Sequence, residues 1–400
     1  MLQVHEAQER ILGEVSALAV SERNLDDALG CVLAHDVVSD LNLPLFDNSA
    51  MDGYALRATD VAKASRKKPV KLRVVEHIGA GATPKQRLIA GAASRIFTGA
   101  PIPDDADAVV MQEDTDQGAD VVTVFDKTGV GENIRRAGED IRAGETVFHA
   151  GTRIEPTHLS LLATLGKARL GVFRQPRVAI LATGEELVEV DQPLAPGKLR
   201  EGNSHMLAAF VRQLGAEPVR LGIARDDREE LRAKLSEGLQ CDALITSGGV
   251  SVGEHDLVKP VLEELGCPVK FWKVSVKPGK PFVFSRSKSC FVFGLPGNPV
   301  SAMVTFLLFV RPALLKMAGR RDLDLLRRRA EAASEFRNQG GRRHFMRGIL
   351  SEKGSHLEVA SAGKQASHVL GSMVRANCLV DVPPETIVHV REEVDVVIWT

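Results

Sequence analysis

Between Arg177 and Gly319, short apolar runs alternate with amphipathic stretches, and this alternation constrains the fold more than any other feature of the chain. Val178–Leu181, Val219–Ile223, Ala243–Thr246 and Phe291–Phe293 read as buried strands. Leu207, Phe210, Val211 and Leu214 recur at helical spacing and stop at Gly215, a second helix is expected from Asp227, and Val258–Leu265 is a third. Pro299 opens a long apolar helix, as a first-turn proline does. Such repeated β-α alternation predicts a mainly parallel sheet with helices on both faces.

The flanking regions differ in pattern. Val4, Ile11, Val15 and Leu18 predict an N-terminal helix, Cys31 to Val38 a strand, and Thr157 to Gly166 another helix. Between 45 and 140, short β-rich runs (Val70–Val75, Val121–Phe125) are punctuated by glycine and proline, predicting an irregular β-rich domain. After Gly319 the strands Gly348–Leu350, Leu379–Val382 and Val394–Trp399 predict a small all-β domain.

Ligands of an open parallel sheet lie beyond the carboxyl ends of its strands, so the three loops there are the first candidates. They read ATGEEL, SGGVSVGEHD and GLPGNPVSA, and so contain Thr183, Gly184, Ser247, Gly248, Gly249, Ser251, Pro296, Gly297, Pro299 and Ser301. Glycine-rich strand-to-helix loops hold phosphate on backbone N–H groups, although plain tight turns have the same composition, and neither a Walker pattern nor a GxGxxG is present. Lys273, Lys277 and Lys280 follow in KVSVKPGKPFVF; as an extended segment, Lys273 and Lys277 face the same way, forming either a cationic floor for an oxyanion or a lysine-protected edge strand. Glu185, Glu186, Asp226, Asp227 and Asp256 all come just after expected strands, where hard oxygen ligands can hold Mg²⁺. Asp227 with Glu230 also reads as a helix cap, which leaves Asp226 the freer of the two.

The total charge argues for no polyanionic partner. Lys plus Arg is 51 and Asp plus Glu is 52, a formal charge of −1, which excludes a nucleic-acid coat or an anionic-membrane surface. The charge is nevertheless zoned: Thr98 to Asp120 has acids and no Lys or Arg, whereas Arg320 to Arg347 is rich in arginine. The start, MLQVHEAQERILG, lacks the pattern of a secretory signal, and the apolar run Val300 to Val310 is too short to span a bilayer. Five scattered cysteines without a CxxC fit reduced thiols, and the expected location is cytoplasmic.

One competing pattern needs weighing. Gly249 to Gly253 matches GxSxG with Ser251 at its centre, and His344, His356 and His368 lie downstream, as in a serine hydrolase. In a nucleophile elbow the serine ends the strand abruptly, whereas here Ser247, Gly248, Gly249 and Val250 intervene. The N-terminal half has its own dense motif, LPLFDNSAMDGYALR, with Asp47, Asn48, Ser49 and Asp52 before the only tyrosine, Tyr54. RRAGEDIRAGE adds Arg135, Arg136, Glu139 and Asp140; both segments also suit exposed turns.

Taken together, PLFDNSAMDGYAL, FTGAPIPDDADAVVMQED, RRAGEDIRAGE, LATGEELVE, EGNSHML, ITSGGVSVGEHD, FWKVSVKPGKPFVF and FGLPGNPVSA closely resemble the molybdopterin molybdenumtransferase family, the MoeA proteins and the gephyrin E-domain. The resemblance covers nearly the whole chain in order. It implies a multi-domain α/β protein with four parts: residues 1–44 with 141–173 as a discontinuous linking domain, 45–140 as a β-rich second domain, 174–320 as a three-layer molybdopterin-binding α/β domain, and 321–400 as a C-terminal β-barrel-like domain. It implies an elongated homodimer, a molybdopterin adenylyltransferase as supplier, and molybdoenzyme maturation proteins as recipients.

The implied reaction inserts molybdate into adenylylated molybdopterin with Mg²⁺-dependent release of AMP. Carried over by motif, Glu186, Asp226 and Asp256 are the acids for metal, Lys273 and Lys277 the basic partners, and Asp52, Thr98 and Asp140 are contributed across the dimer. Lys277, Lys280, Ser301, Arg347 and Ser367 are the implied molybdate pocket. Glu185 stands where many relatives have Asp, a change expected to have little effect. A binding scaffold of the kind the gephyrin E-domain provides is the alternative of another class.

Overall fold

The computed structural model describes residues 1–250 and 257–399, and these divide into two compact units. Unit 1 comprises Met1–His35, Gly151–Ser160 and Ala168–Thr400; unit 2 comprises Asp36–Ala150 and Leu161–Lys167.

Unit 1 contains the α/β layer structure. The N-terminal helix α1 is Val4–Glu14. The six strands of the main sheet are β1 Arg177–Thr183, β2 Glu217–Ala224, β3 Ala243–Ser247, β4 Val269–Trp272, β5 Val283–Arg286 and β6 Phe291–Leu295, in the order β2-β1-β3-β6-β5-β4. Strands β2, β1, β3 and β6 are parallel, as the alternation predicts; β5 and β4 are antiparallel. The antiparallel edge arises because no helix separates β4, β5 and β6, and short connections can only reverse the chain.

Helices α2 Asn203–Gln213, α3 Arg228–Gly238, α4 Val258–Glu264 and α5 Pro299–Met317 connect or follow these strands. Asp227 caps α3, its carboxylate accepting the N–H of Glu230 at 2.8 Å. Gly215 ends α2 with a φ of +80°, a conformation that costs L side chains about 1 kcal/mol or more. Helix α5 is long and apolar enough to cross a bilayer, but 89% of it is buried within the protein, as in a core helix. It contains a turn of π-helix at Phe306–Val310, and the side-chain amide of Gln8 on α1 donates to the carbonyl of Leu308 there at 2.9 Å. Ala7, Ile11 and Val15 share one core with Ile180, Phe293, Phe306 and Phe309. The N-terminal helix thus packs into the α/β core, and the continuous strand expected over Cys31 to Val38 is reduced to Val37–Val38 with isolated bridges at Val32 and Leu33.

The C-terminal strands are β7 Leu326–Ala332, β8 Arg343–Lys353, β9 His356–Ser361, β10 Cys378–Val382 and β11 Glu393–Ile398. They form the ring β8-β9-β7-β11-β10, closed by pairing of β10 with β8: a five-stranded barrel. Closure removes both sheet edges, and the apolar faces of Met346, Val359, Val380 and Val396 fill the interior. Asp381, fully buried as a side chain, accepts from Arg327 at 2.8 Å and Arg343 at 2.6 Å. Asp381→Ala is therefore expected to lower the unfolding free energy by about 2 kcal/mol in urea titration, because two guanidinium groups lose a desolvated partner but can rehydrate.

Unit 2 is built on a five-stranded sheet in the spatial order Ala108–Met111, Gly53–Leu56, Ala92–Ile96, Val70–Ile78 and Val121–Val124. Its core holds Tyr54, 1% exposed, whose hydroxyl donates to the carbonyl of Gly118 at 3.1 Å.

Candidate active-site cleft

The three glycine-rich loops leave the carboxyl ends of β1, β3 and β6, and in unit 1 they converge on one cleft of about 1090 Å³. Their mutual approach explains their composition. A β-carbon on Gly248 would lie 2.4 Å from the carbonyl oxygen of Thr183, and the φ of Gly248 is +98°. No side chain fits there, so the first two loops can touch only through glycine. The N–H of Gly248 donates to the carbonyl of Leu295 at 3.0 Å, which ties the second loop to the third. Asn203, the first residue of α2, completes the assembly: its amide donates to Ser247 Oγ at 2.9 Å and to the carbonyl of Gly297 at 2.7 Å. The EGNSHML motif contains Asn203, but its role depends on contacts far away in sequence.

Thr183, Gly184, Glu186, Asp226, Ser247, Gly248 and Gly249 line one side of the cleft. Pro296, Gly297, Pro299 and Ser301 line it from the third loop and the start of α5, so the N-terminus of that helix adds its dipole. Glu185 does not line the cleft; its carboxylate accepts the N–H of Asp226 at 3.0 Å and so braces the loop after β2. Glu186 and Asp226 thus come from different strands into one space. Ser251 and Asp256 lie outside the described residues; β3 ends at Ser247, four residues before Ser251.

The lysine segment departs from the expected continuous strand. Lys273 takes a φ of +75°, which breaks the extension after β4, and the next strand residues, Val276–Lys277, pair in parallel with β8 of the barrel. Lys277 and Lys280 line the cleft, whereas Lys273 does not; its Nζ lies 3.7 Å from the ring centroid of Trp272. The alternation rule fails here because the barrel strand β8, distant in sequence, recruits the segment.

A second correction concerns Arg347. It is fully buried and does not line the cleft. Its guanidinium donates to the carbonyls of Lys364, Gln365 and Ala366 at 2.9–3.0 Å and to Ser372 Oγ at 3.2 Å, and burial holds its pKa down to about 10. It shapes the loop that brings Gln365 and Ser367 to the cleft. Arg200 and Arg342 do line the cleft, and Arg342 Nη1 donates to the carbonyl of Val276 at 3.1 Å. Five residues apart in sequence, Arg342 and Arg347 cannot be told apart by pattern.

His344 also lines the cleft, opposite Lys277 in the β-pairing. It is 3% exposed, and both ring nitrogens are buried without a hydrogen-bond partner. Burial pushes its pKa down to about 3, reinforced by the positive charges of Lys277, Arg347 and Arg342, so the ring is neutral. Thr183 Oγ1 is another buried polar atom at the cleft without a partner. Each such group left unpaired costs about 1–3 kcal/mol, which marks this corner as a place built for more than packing.

In unit 2, the ends of adjacent antiparallel strands bring Asp52 and Thr98 together. The N–H and the hydroxyl of Thr98 both donate to Oδ1 of Asp52 at 2.8 Å, and these bonds lower the Asp52 pKa. The two N-terminal motifs also meet: Asp47 accepts from Arg136 at 2.6 Å and from the N–H of Ala137 at 2.8 Å, and Asn48 pairs with Arg135. Asp140 is exposed in the same turn, its N–H donating to the carbonyl of Leu43 at 3.0 Å.

Comparison with known proteins agrees along the whole length. Residues 2–166 match the MoeA N-terminal region (domain I and II), 179–316 a probable molybdopterin binding domain, and 329–399 the MoeA C-terminal region (domain IV). Proteins called molybdopterin molybdenumtransferase from Haemophilus influenzae and Bacillus subtilis are 39% and 37% identical to it, over 95% and 90% of this chain and 94% and 85% of theirs. Molybdopterin molybdenumtransferase 2 of Mycobacterium tuberculosis is 42% identical over 94% of this chain and 93% of its own. The crystal structure of the molybdopterin biosynthesis MoeA protein of Pyrococcus horikoshii OT3 superposes with a TM-score of 0.85 at 30% identity, covering 100% of both chains. With the three loops, the cationic corner and the closed barrel each in the matching region, the chain belongs to the MoeA family of molybdopterin molybdenumtransferases.

Proposed function

We propose that this chain inserts molybdate into adenylylated molybdopterin and releases AMP in an Mg²⁺-dependent step, giving molybdenum cofactor in the cytoplasm. The observation that carries the reading is one cleft lined both by Lys277, Lys280 and Arg342 and by Glu186 and Asp226, together with three glycine-rich loops. A phosphorylated substrate and a tetrahedral dianion both need cations and N–H donors, and a cleft of this size holds both together.

The chain's own groups divide the work. Backbone and hydroxyl groups of Thr183, Ser247, Gly248 and Gly249 suit the pterin phosphate end, with Asn203 holding their loops in register. Lys277, Lys280, Arg342, Ser301 and Ser367 suit molybdate, the charges supplying attraction and the hydroxyls directional bonds. Mg²⁺ takes one or two carboxylates and keeps its remaining sites for water and phosphate, so Glu186 and Asp226 form a fitting donor set. When bound, the ion neutralises charge that builds on the phosphoanhydride oxygens. Asp52, Thr98 and Asp140 are assigned to the complementary surface that a second copy supplies in a homodimer. Substrate would come from a separate molybdopterin adenylyltransferase, and product would pass to molybdoenzyme maturation proteins.

The test is AMP release from adenylylated molybdopterin. Release should require both molybdate and Mg²⁺, and Glu186→Gln and Asp52→Ala should each lower kcat by about 100-fold. Release indifferent to molybdate and Mg²⁺, or full turnover in both variants, would overturn the assignment. Tight molybdopterin binding without any turnover would instead favour the scaffold reading.

A further inference from the structure

We propose that His344 is a hydrogen-bonding member of the oxyanion corner, turning its neutral imidazole toward molybdate when the dianion enters the cleft between Lys277 and Arg342. The proposal rests on the molybdate reading given above and adds a residue that the family motifs do not mark. Three observations support it. His344 sits on β8 directly opposite Lys277, so any anion drawn to that ammonium group arrives beside the imidazole. Both ring nitrogens are buried without a partner in a protein whose buried polar groups are otherwise mostly paired. The residue nevertheless lines the cleft, and rotation about the soft χ2 torsion re-aims the ring without moving the backbone.

The chemistry favours a neutral imidazole here. Lys277, Lys280 and Arg342 already supply charge, so another cation would add repulsion in the empty cleft. A neutral ring adds one directed N–H donor, and its second nitrogen can accept from a water or from a protonated oxyanion. The lysines attract; the imidazole orients.

The experiment uses the full-length protein and molybdate itself. For His344→Ala, the molybdate concentration giving half-maximal AMP release should rise about tenfold, the equivalent of one hydrogen bond to a charged group. The molybdopterin Kd should stay within about twofold, and His344→Gln, which keeps an N–H donor, should recover most of the loss. In the wild-type protein, the imidazole ¹⁵N resonances should shift on molybdate addition and should not shift with molybdopterin alone. An unchanged molybdate requirement in His344→Ala, or ¹⁵N resonances indifferent to molybdate, overturns the role of His344 while leaving the transferase reading intact. Absence of any molybdate dependence in the wild type overturns both. A circular dichroism melt matching the wild type shows that the variant is folded; if His344→Ala does not fold, the ¹⁵N measurement on the wild type decides the matter.

Discussion

Arg347→Met is expected to destabilise the protein by about 3–5 kcal/mol, while Arg342→Met changes stability by less than about 1 kcal/mol. The reason is the surroundings. Arg347 is wholly buried and satisfies three backbone carbonyls of residues 364–366 together with Ser372; methionine fills most of the volume but leaves those acceptors without donors. The loop should then detach from the barrel and take Gln365 and Ser367 away from the cleft, so a folded fraction of Arg347→Met should also bind molybdate poorly. Arg342 donates to the carbonyl of Val276, and it lines the cleft. Its loss should raise the half-saturating molybdate concentration about tenfold or more and leave the melting curve nearly in place. Urea titration and molybdate-dependent AMP release on both variants separate the roles. Equal stability losses in the two would contradict the division drawn here.

Gly248→Ala should lower turnover by about 100-fold, the second large effect. Its φ of +98° is one that L residues rarely adopt, and the added methyl would sit 2.4 Å from the Thr183 carbonyl oxygen, which as backbone cannot swing aside. The first and second loops must separate, breaking the Gly248–Leu295 hydrogen bond and displacing the groups that face the phosphate. A control isolates backbone strain from loop displacement. Gly266 has a φ of +75° with nothing within 4 Å of a built β-carbon, so Gly266→Ala should cost about 1 kcal/mol of stability and no turnover. Wild-type turnover in Gly248→Ala would show that the loops need not touch.

Much of this architecture was legible locally. The parallel strands β1, β3 and β6 announce themselves as apolar runs because each is buried on both faces, and burial on both faces leaves little choice of residue. The cap at Asp227 and the proline opening α5 are equally local, since each depends on backbone groups within one helical turn. The glycines of the three loops mark the cleft for the same reason: a backbone that must approach another backbone closely excludes a side chain, and that exclusion is visible in the residue itself.

The placements not legible locally are those in which a distant segment decides. Lys273 and Lys277 share a spacing, but the pairing of Val276–Lys277 with β8 sends Lys277 to the cleft and leaves Lys273 against Trp272. Arg342 and Arg347 lie five residues apart and share a charge; burial against the 364–366 carbonyls makes Arg347 a brace, while Arg342 lines the cleft. The near-neutral sum of charges likewise concealed a cleft where cations and acids face each other. By itself, then, the sequence determined the sheet, the loops and the family, because these depend on periodicity, backbone conformation and motif order. Which charged side chains meet in the cleft was decided only by tertiary structure, because long side chains take their direction from whatever packs beside them, and that neighbour lies elsewhere in the chain.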